Sequence, residues 1–315
     1  MSIQSFIGES GMSEKWTVSA PQKITFGEPV RRVKVRTLAG AVNVVAGEAP
    51  ARLEISEIDG APLEVTVDDG ELLITYEDLQ WKDFQWKSLT RWIEGWRQKR
   101  RAVVSLVVPA GVDVEVGSAS SDTVVSGIAG RVHANTASGG VTLVRVSGPV
   151  DANTVSGTVE AHGTSGGLKI NTVSGALTVF AGTSGALKAN SVSGAMTVDL
   201  DRPAAADVEL TNVSGEVAVR IPAPADTQVR ADTTSGSVSS SFDQLQVSSN
   251  WGAKRITGTL GSGTSRLKIT TVSGSVAVLR RPEDEDGPLD AVPTDATPSD
   301  SSPLAIDHQK GADEA

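Results

Sequence analysis

The dipeptide Ser-Gly recurs every nine or ten residues in the stretch NTVSGTVEAHGTSGGLKINTVSGALTVFAGTSGALKANSVSGAMTV, which starts at Asn153. Steps of 18, 18, 19, 21, 21 and 38 residues separate one set of glycines, and we interpret the last step as two of 19. That set is Gly139, Gly157, Gly175, Gly194, Gly215, Gly236 and Gly274. A second set lies about midway between them: Ser147-Gly148, Ser165-Gly166 and Ser184-Gly185. Two corners per period predict a flattened coil of about 18–21 residues that repeats along an axis.

Aliphatic residues keep fixed positions relative to the first glycine set. The positions seven, five and two before each glycine, and two and four after it, are polar only at Thr234 and Ser240. The position six before is always polar: His133, Asp151, Lys169, Lys188, Glu209, Arg230 and Lys268. Alternation on both sides of a corner is typical of strands buried on one face, which become stable only when coils stack. The sequence therefore predicts an all-β fold, a single-chain parallel β-helix (β-solenoid) with one aliphatic core.

The position two before each glycine belongs to this predicted core. It is occupied by Ala137, Val155, Val173, Val192, Val213, Thr234 and Val272. At the corners themselves, we expect glycine to supply a positive φ and serine to bond the local backbone. Four before the glycine stand Asn135, Asn153, Asn171 and Asn190, which would stack as a partial amide ladder.

One segment, LQWKDFQWKSLTRWIEGWRQKRR, interrupts the strand pattern with four of the six tryptophans. From Trp81 to Arg101 it carries seven bases and two acids. Its helical spacing predicts an amphipathic helical insert over 78–101, which caps the first coil, docks to a membrane surface or partner, or is an unstructured loop. The candidate docking residues are Trp81, Trp86, Lys87, Leu89, Arg91, Trp92, Ile93, Trp96, Arg97, Lys99, Arg100 and Arg101.

Charge and composition divide the chain further. Residues 281–315 hold ten acids against Arg281 and Lys310, so they account for most of the net charge of −10. We expect a flexible N-terminus over 1–15, a solenoid domain over 16–280 with its most regular coils at 130–280, and a disordered acidic tail over 281–315. Either Met1 or Met12 could be the true start. The near-neutral body argues against nucleic acid as a partner.

Catalytic and metal motifs are weak in this sequence. Gly163 to Gly167 matches the G-x-S-x-G nucleophile elbow, but Ser165 is one member of a corner series. The three histidines lack neighbours at metal-ligand spacing, and cysteine is absent. The carboxylates Asp151, Glu160, Glu209 and Glu216 are scattered rather than paired around a sugar cleft. We therefore predict no catalytic residue, no metal, no cofactor and no enzymatic activity.

The repeat NTVSGTVEAHGTSGGLKINTVSGALTV and the ending GTLGSGTSRLKITTVSGSVAVL resemble the bacterial β-strand-repeat family labelled "putative adhesin", a domain of unknown function. The resemblance covers roughly residues 51–279. It implies a right-handed β-helix without established catalytic residues.

Three functions remain open from the sequence. The first is a non-enzymatic scaffold or interaction protein that docks to a protein partner or an anionic membrane surface through the Trp-rich insert. The alternatives are an exported adhesin and a carbohydrate-active β-helix enzyme. The beginning of the sequence lacks a basic region followed by an apolar run, so we expect a cytoplasmic protein peripheral to the inner face of the membrane. Self-association through the solenoid ends is a further expectation.

Overall fold

The structure is a computed structural model that describes residues 3–7, 12–77, 100–182, 185–200 and 207–281. Within these residues the chain is all-β, as predicted, and it contains no α-helix. The expected helical insert lies outside the described residues except for Arg100 and Arg101, and the expected acidic tail lies outside them except for Arg281.

Nine strands form the first, less regular part of the described chain. They are β1 (Ile3–Ile7), β2 (Met12–Val18), β3 (Gln22–Thr25), β4 (Arg32–Ala46), β5 (Arg52–Asp59), β6 (Leu63–Asp68), β7 (Glu71–Tyr76), β8 (Arg101–Val108) and β9 (Asp113–Ser126). The first two strands pair antiparallel with each other within and just beyond the stretch expected to be a flexible N-terminus.

Sixteen strands follow in the repeat region. They are β10 (Val132–Thr136), β11 (Val141–Val144), β12 (Val150–Thr154), β13 (Val159–His162), β14 (Leu168–Thr172), β15 (Leu177–Gly182), β16 (Leu187–Ser191), β17 (Met196–Leu200), β18 (Asp207–Asn212), β19 (Val217–Ile221), β20 (Thr227–Thr233), β21 (Val238–Ser240), β22 (Gln246–Asn250), β23 (Ala253–Leu260), β24 (Ser265–Thr271) and β25 (Val276–Arg280).

The repeat strands pair in parallel to form two stacks. In stack 1, β10, β12, β14, β16 and β18 are hydrogen-bonded in succession, and in stack 2 the same holds for β11, β13, β15, β17 and β19. Each coil contributes one strand to each stack, and a Ser-Gly corner joins the two. Leu168 is registered with Leu187, and Leu187 with Val208. This pairing is consistent with the predicted β-solenoid.

Four of the five aliphatic positions predicted to face the core do so. Side chains seven and five before the corner glycine and two and four after it are buried from Val132 to Val219, and both stacks contribute to one hydrophobic cluster. Because the stacks pack face to face, this cluster fills the space between them. The prediction is wrong for the position two before the glycine, which is described with the candidate site below.

The corner glycines are required for a different reason from the one predicted. Of the seven, only Gly215 has a positive φ, 128°. At Gly157, Gly175 and Gly194, an added Cβ would lie against the carbonyl oxygen of the corner glycine in the preceding coil, far inside van der Waals contact. The close approach of successive coils, rather than a left-handed backbone, therefore excludes a side chain there.

The long strands β4 and β9 join the irregular part to the repeat. They pair in parallel with each other, and on its other edge β9 pairs in parallel with both β10 and β11. On the far side of β4, β7 pairs with its first half and β8 with its second half. Antiparallel strands then extend each stack: β6, β2 and β1 beyond β7, and β5 and β3 beyond β8.

At the other end, the coils do not stack in sequence order. The last coil, β24 and β25, lies between the coil of β18 and β19 and the coil of β20 and β21. The interpretation of the 38-residue step as two regular coils is therefore wrong. The middle of that step forms a hairpin of β22 and β23, in which β23 pairs antiparallel with β20 and β22 pairs with β23.

Candidate functional site

An exposed line of valines runs along one edge of the repeat. At the position two before the corner glycine, Val173, Val192, Val213 and Val272 are 41%, 47%, 44% and 49% exposed. Ala137 and Val155 occupy this position in the two preceding coils and are half-buried. We call these six residues the valine ridge. Five strand spacings make it about 24 Å long.

The ridge faces water because a buried polar residue takes the inward place before each of its members: Thr136, Thr154, Thr172, Ser191, Asn212 and Thr271. Thr154 and Thr172 are 5% and 6% exposed, and their Oγ1 atoms accept the N–H of Gly157 and Gly175 at 2.9 and 3.0 Å. With threonine inside, the next residue must point outward in a strand. The sequence could have revealed the ridge, because strict alternation from Leu168 makes 168, 170 and 172 the inward positions.

Two polar ladders hold the ridge residues in place. On one side, Asn153 donates to Asn135 at 3.0 Å, Asn171 to Asn153 at 2.8 Å and Asn190 to Asn171 at 2.9 Å, which confirms the predicted amide ladder. On the other side, each corner serine after Ser138 donates both its N–H and its Oγ–H to one ridge carbonyl of the preceding stacked coil. Ser174, for example, bonds the Val155 oxygen at 2.8 and 3.2 Å. The ridge is therefore a regular apolar surface with a fixed spacing.

The Trp-rich segment is attached at the same edge. Its flanking strands β7 and β8 pair with the two halves of β4, so β7 ends and β8 begins at the edge where a corner joins the two stacks in the regular coils. In β4, Thr37 is registered with Ser118 of β9, which is registered with Thr136. The residue after Thr136 is the first of the ridge, so the same column contains Ala119 in β9 and Leu38 in β4. Ala119 is only 4% exposed and Leu38 is half-buried, so the strongly exposed part of the column begins at Val173.

The structure describes two of the predicted docking residues. The Arg100 guanidinium lies over the Tyr76 ring, 5.5 Å from its centroid, and Arg100 is half-buried. Arg101 is exposed at the start of β8, with its Nε 3.7 Å from a Glu57 oxygen. The others lie outside the described residues: Trp81, Trp86, Lys87, Leu89, Arg91, Trp92, Ile93, Trp96, Arg97 and Lys99.

The outward polar column on stack 1 consists mainly of ion pairs. Lys169 Nζ lies 3.4 Å from Asp151, and Glu209 accepts from Lys268 at 2.9 Å and from Lys188 at 3.1 Å. Hydrogen bonds from Lys268 and then Lys188 lower the pKa of Glu209 below its ordinary value. These carboxylates pair with ammonium groups, and such exposed pairs are typical of a solvated face.

The corner that contains Ser165 does not have the geometry of a nucleophile elbow. Ser165 lies in the turn between β13 and β14, so the strand–turn–helix setting of a nucleophile elbow is replaced by strand–turn–strand. Among the described residues, no cluster of three or more His, Cys, Asp or Glu side chains could hold a metal ion. The same part of the chain has no helix of the length and hydropathy that a membrane span needs.

Comparison with known proteins gives one family match. The model described as Toastrack DUF4097 matches residues 86–279, which include all the regular coils. No curated protein matches the chain.

Solved structures give distant likenesses. A "putative cell adhesion protein" from Clostridium sporogenes is 9% identical, with 83% of this chain and 100% of that chain covered and a TM-score of 0.24. A "putative adhesin" from Bacteroides fragilis is 10% identical, with 87% and 98% covered and a TM-score of 0.24. Another from Parabacteroides merdae is 10% identical, with 84% and 96% covered and a TM-score of 0.28. Likenesses this distant carry no argument about function.

Proposed function

Because the chain belongs to the Toastrack DUF4097 family, a domain of unknown function, we propose its function from its own surface. It is a non-enzymatic interaction scaffold that docks to an anionic membrane surface through the valine ridge and the Trp-rich segment at 81–101. The observation that carries this proposal is the exposure of the ridge at the edge where that segment is attached.

The ridge supplies an apolar contact that needs no rearrangement. Its valines already face water, so burying them in a lipid interface gains hydrophobic free energy of about 25 cal/mol for each Å² removed from water. The two ladders fix the backbone, so little conformational entropy is lost on docking. The ridge residues carry no charge, so the attraction to an anionic surface must come from the Trp-rich segment.

The segment supplies the charge and the aromatic anchors. Seven bases and two acids give it a net charge of +5, and it holds four tryptophans. Basic residues near an anionic surface contribute about 1 kcal/mol each, and tryptophan favours the membrane–water interface. An inner membrane surface is the setting that fits this combination, so we place the protein in the cytoplasm, peripheral to that membrane.

Vesicle co-sedimentation tests the proposal. The full chain should bind vesicles of phosphatidylglycerol and phosphatidylcholine better than vesicles of phosphatidylcholine alone, and binding should fall with added salt. The double variant Trp92→Ala/Trp96→Ala and the triple variant Val173→Ser/Val192→Ser/Val213→Ser should each weaken binding about tenfold or more.

A matched control comes from another exposed valine. Val45 is 41% exposed but lies on β4, away from the ridge, so Val45→Ser should bind as the wild type does. Undiminished binding by both the double and the triple variants would rule out docking through the ridge and the segment. A wild-type chain that does not bind anionic vesicles would rule out membrane docking and favour a protein partner. Recovery of the protein outside the cell on fractionation would overturn the inner-surface location and favour the exported adhesin.

A further inference from the structure

Among the residues that the structure describes, stack 1 ends in an open strand edge on each side. From one end to the other its pairing runs β1, β2, β6, β7, β4, β9, then the regular strands to β18, then β24, β20, β23 and β22. Within the described residues, β1 pairs only with β2, and β22 pairs only with β23. Each terminal strand therefore has one edge without a strand partner.

The edge of β22 lacks the features that usually block pairing. Its five residues, Gln246–Asn250, are all exposed and include no charge, proline or glycine. Val247 is 54% exposed, and Trp251 at the tip of the hairpin is fully exposed. Natural edge strands are commonly protected by lysine, proline or a bulge, because an open edge is a template for another strand.

The outward-facing backbone groups of β22 can be assigned from its turn. Trp251 and Gly252 have φ values of 50° and 87°, which fit a two-residue type I′ turn. In such a hairpin Asn250 and Ala253 form a hydrogen-bonded pair, and the pairs alternate along the strand. The N–H and C=O groups of Val247 and Ser249 therefore point away from β23, toward the open edge.

The strand at the opposite end of stack 1 fits this edge. β1, Ile3–Ile7, also has five uncharged residues, with the sequence IQSFI. β22 runs in the direction of the regular strands, because two antiparallel steps separate it from β20. β1 runs opposite to them, because three antiparallel steps separate it from β7, which is parallel to β4. The two edges can therefore form an antiparallel pair.

We propose that β22 of one chain pairs with β1 of a second copy, so that chains add head to tail and stack 1 continues from copy to copy. The contact is heterologous, since each chain offers a different strand at each end. Such contacts build open assemblies rather than closed dimers. This surface is separate from the valine ridge and does not depend on membrane docking.

Sedimentation velocity of the full chain over a concentration series tests this proposal. We expect species larger than a dimer that grow with concentration. Ser249→Pro removes one outward N–H at the open edge and should raise the midpoint concentration for assembly at least tenfold, while the matched Ser249→Ala, which keeps that N–H, should leave it unchanged. Val247→Lys places a charge on the same edge and should also raise the midpoint concentration for assembly. This second variant keeps the test valid if Ser249→Pro fails to fold.

Deletion of residues 1–11 tests the other end of the contact. It removes β1 and leaves β2, whose Glu14 and Lys15 give the new edge charged side chains, so assembly should be lost. A dimer that survives this deletion would overturn the proposal in favour of β22 pairing with itself. A monomer at every concentration would also overturn it. The ridge variant Val173→Ser/Val192→Ser/Val213→Ser should assemble normally, which separates this contact from membrane docking.

Discussion

Two adjacent glycines in one turn differ sharply in the room they leave for a side chain. A Cβ on Gly166 would lie against the backbone of Gly148 in the preceding coil, whereas the nearest atom to a Cβ on Gly167 is the Ala186 oxygen at 4.0 Å. We predict that Gly166→Ala lowers the free energy of unfolding by about 1–3 kcal/mol or prevents folding, because the coils must separate. Gly167→Ala should be neutral or slightly stabilising. Urea denaturation of both variants measures the difference, and equal values would contradict close stacking.

The Glu209 carboxylate should make stability depend on acidity. Hydrogen bonds from Lys268 and then Lys188 lower its pKa in the folded protein below 4.5. A lowered folded pKa means that the stabilisation is present above the unfolded pKa and is lost as pH falls through the folded one. The Tm of Glu209→Gln should therefore lie below that of the wild type at pH 7, and the gap should close as pH falls below 4.5. A gap that is the same at both pH values would contradict this role.

At the scale of the strand, the direction of each side chain depends on threonine. Thr172 is buried and its Oγ1 accepts the Gly175 N–H, while the neighbouring Val173 is 41% exposed. Thr172→Val leaves that buried N–H without its acceptor, so we predict a loss of about 1–3 kcal/mol in the free energy of unfolding. Val173→Thr makes the opposite exchange on the exposed side and should change stability by less than about 0.5 kcal/mol. Thermal or urea unfolding of the two variants measures both changes. A larger loss of stability in Val173→Thr than in Thr172→Val would mean that Val173, not Thr172, is the inward residue.

Thr172 and Val173 also show how far the sequence could predict the fold. Alternation at Leu168, Ile170, Leu177 and Val179 predicted both strands of a coil and their buried faces, because one hydrophobic face fixes the register. Hydrophobicity alone misplaced Val173, since a threonine whose hydroxyl is hydrogen-bonded to the backbone can be buried in place of an aliphatic residue. The ridge could therefore be found only by applying the two-residue period strictly to the end of each strand, where it makes Thr172 inward and Val173 outward.

At the scale of the whole molecule, local pattern could not determine the order of the coils. Most coils present aliphatic residues at the same inward positions, so this pattern does not assign the neighbours of the coil of β24 and β25. The hairpin of β22 and β23 covers the edge of β20 and leaves the last coil to pair between β18 and β20. The sequence spacing of 38 residues is compatible with either order.

Engineered disulfides can distinguish the two coil orders in a chain that has no cysteine of its own. Glu209 is registered with Lys268, and Lys268 with Arg230, so Glu209 and Arg230 lie two strands apart. Registered residues on neighbouring strands have Cα atoms about 4.8 Å apart, within the reach of a disulfide, whereas two strand spacings exceed its limit of about 7 Å. Cysteine pairs at 209 and 268 and at 268 and 230 should therefore oxidise readily, while the pair at 209 and 230 should stay reduced. Mass spectrometry of the non-reduced protein reads out all three. A disulfide between 209 and 230 would mean that the coils stack in sequence order.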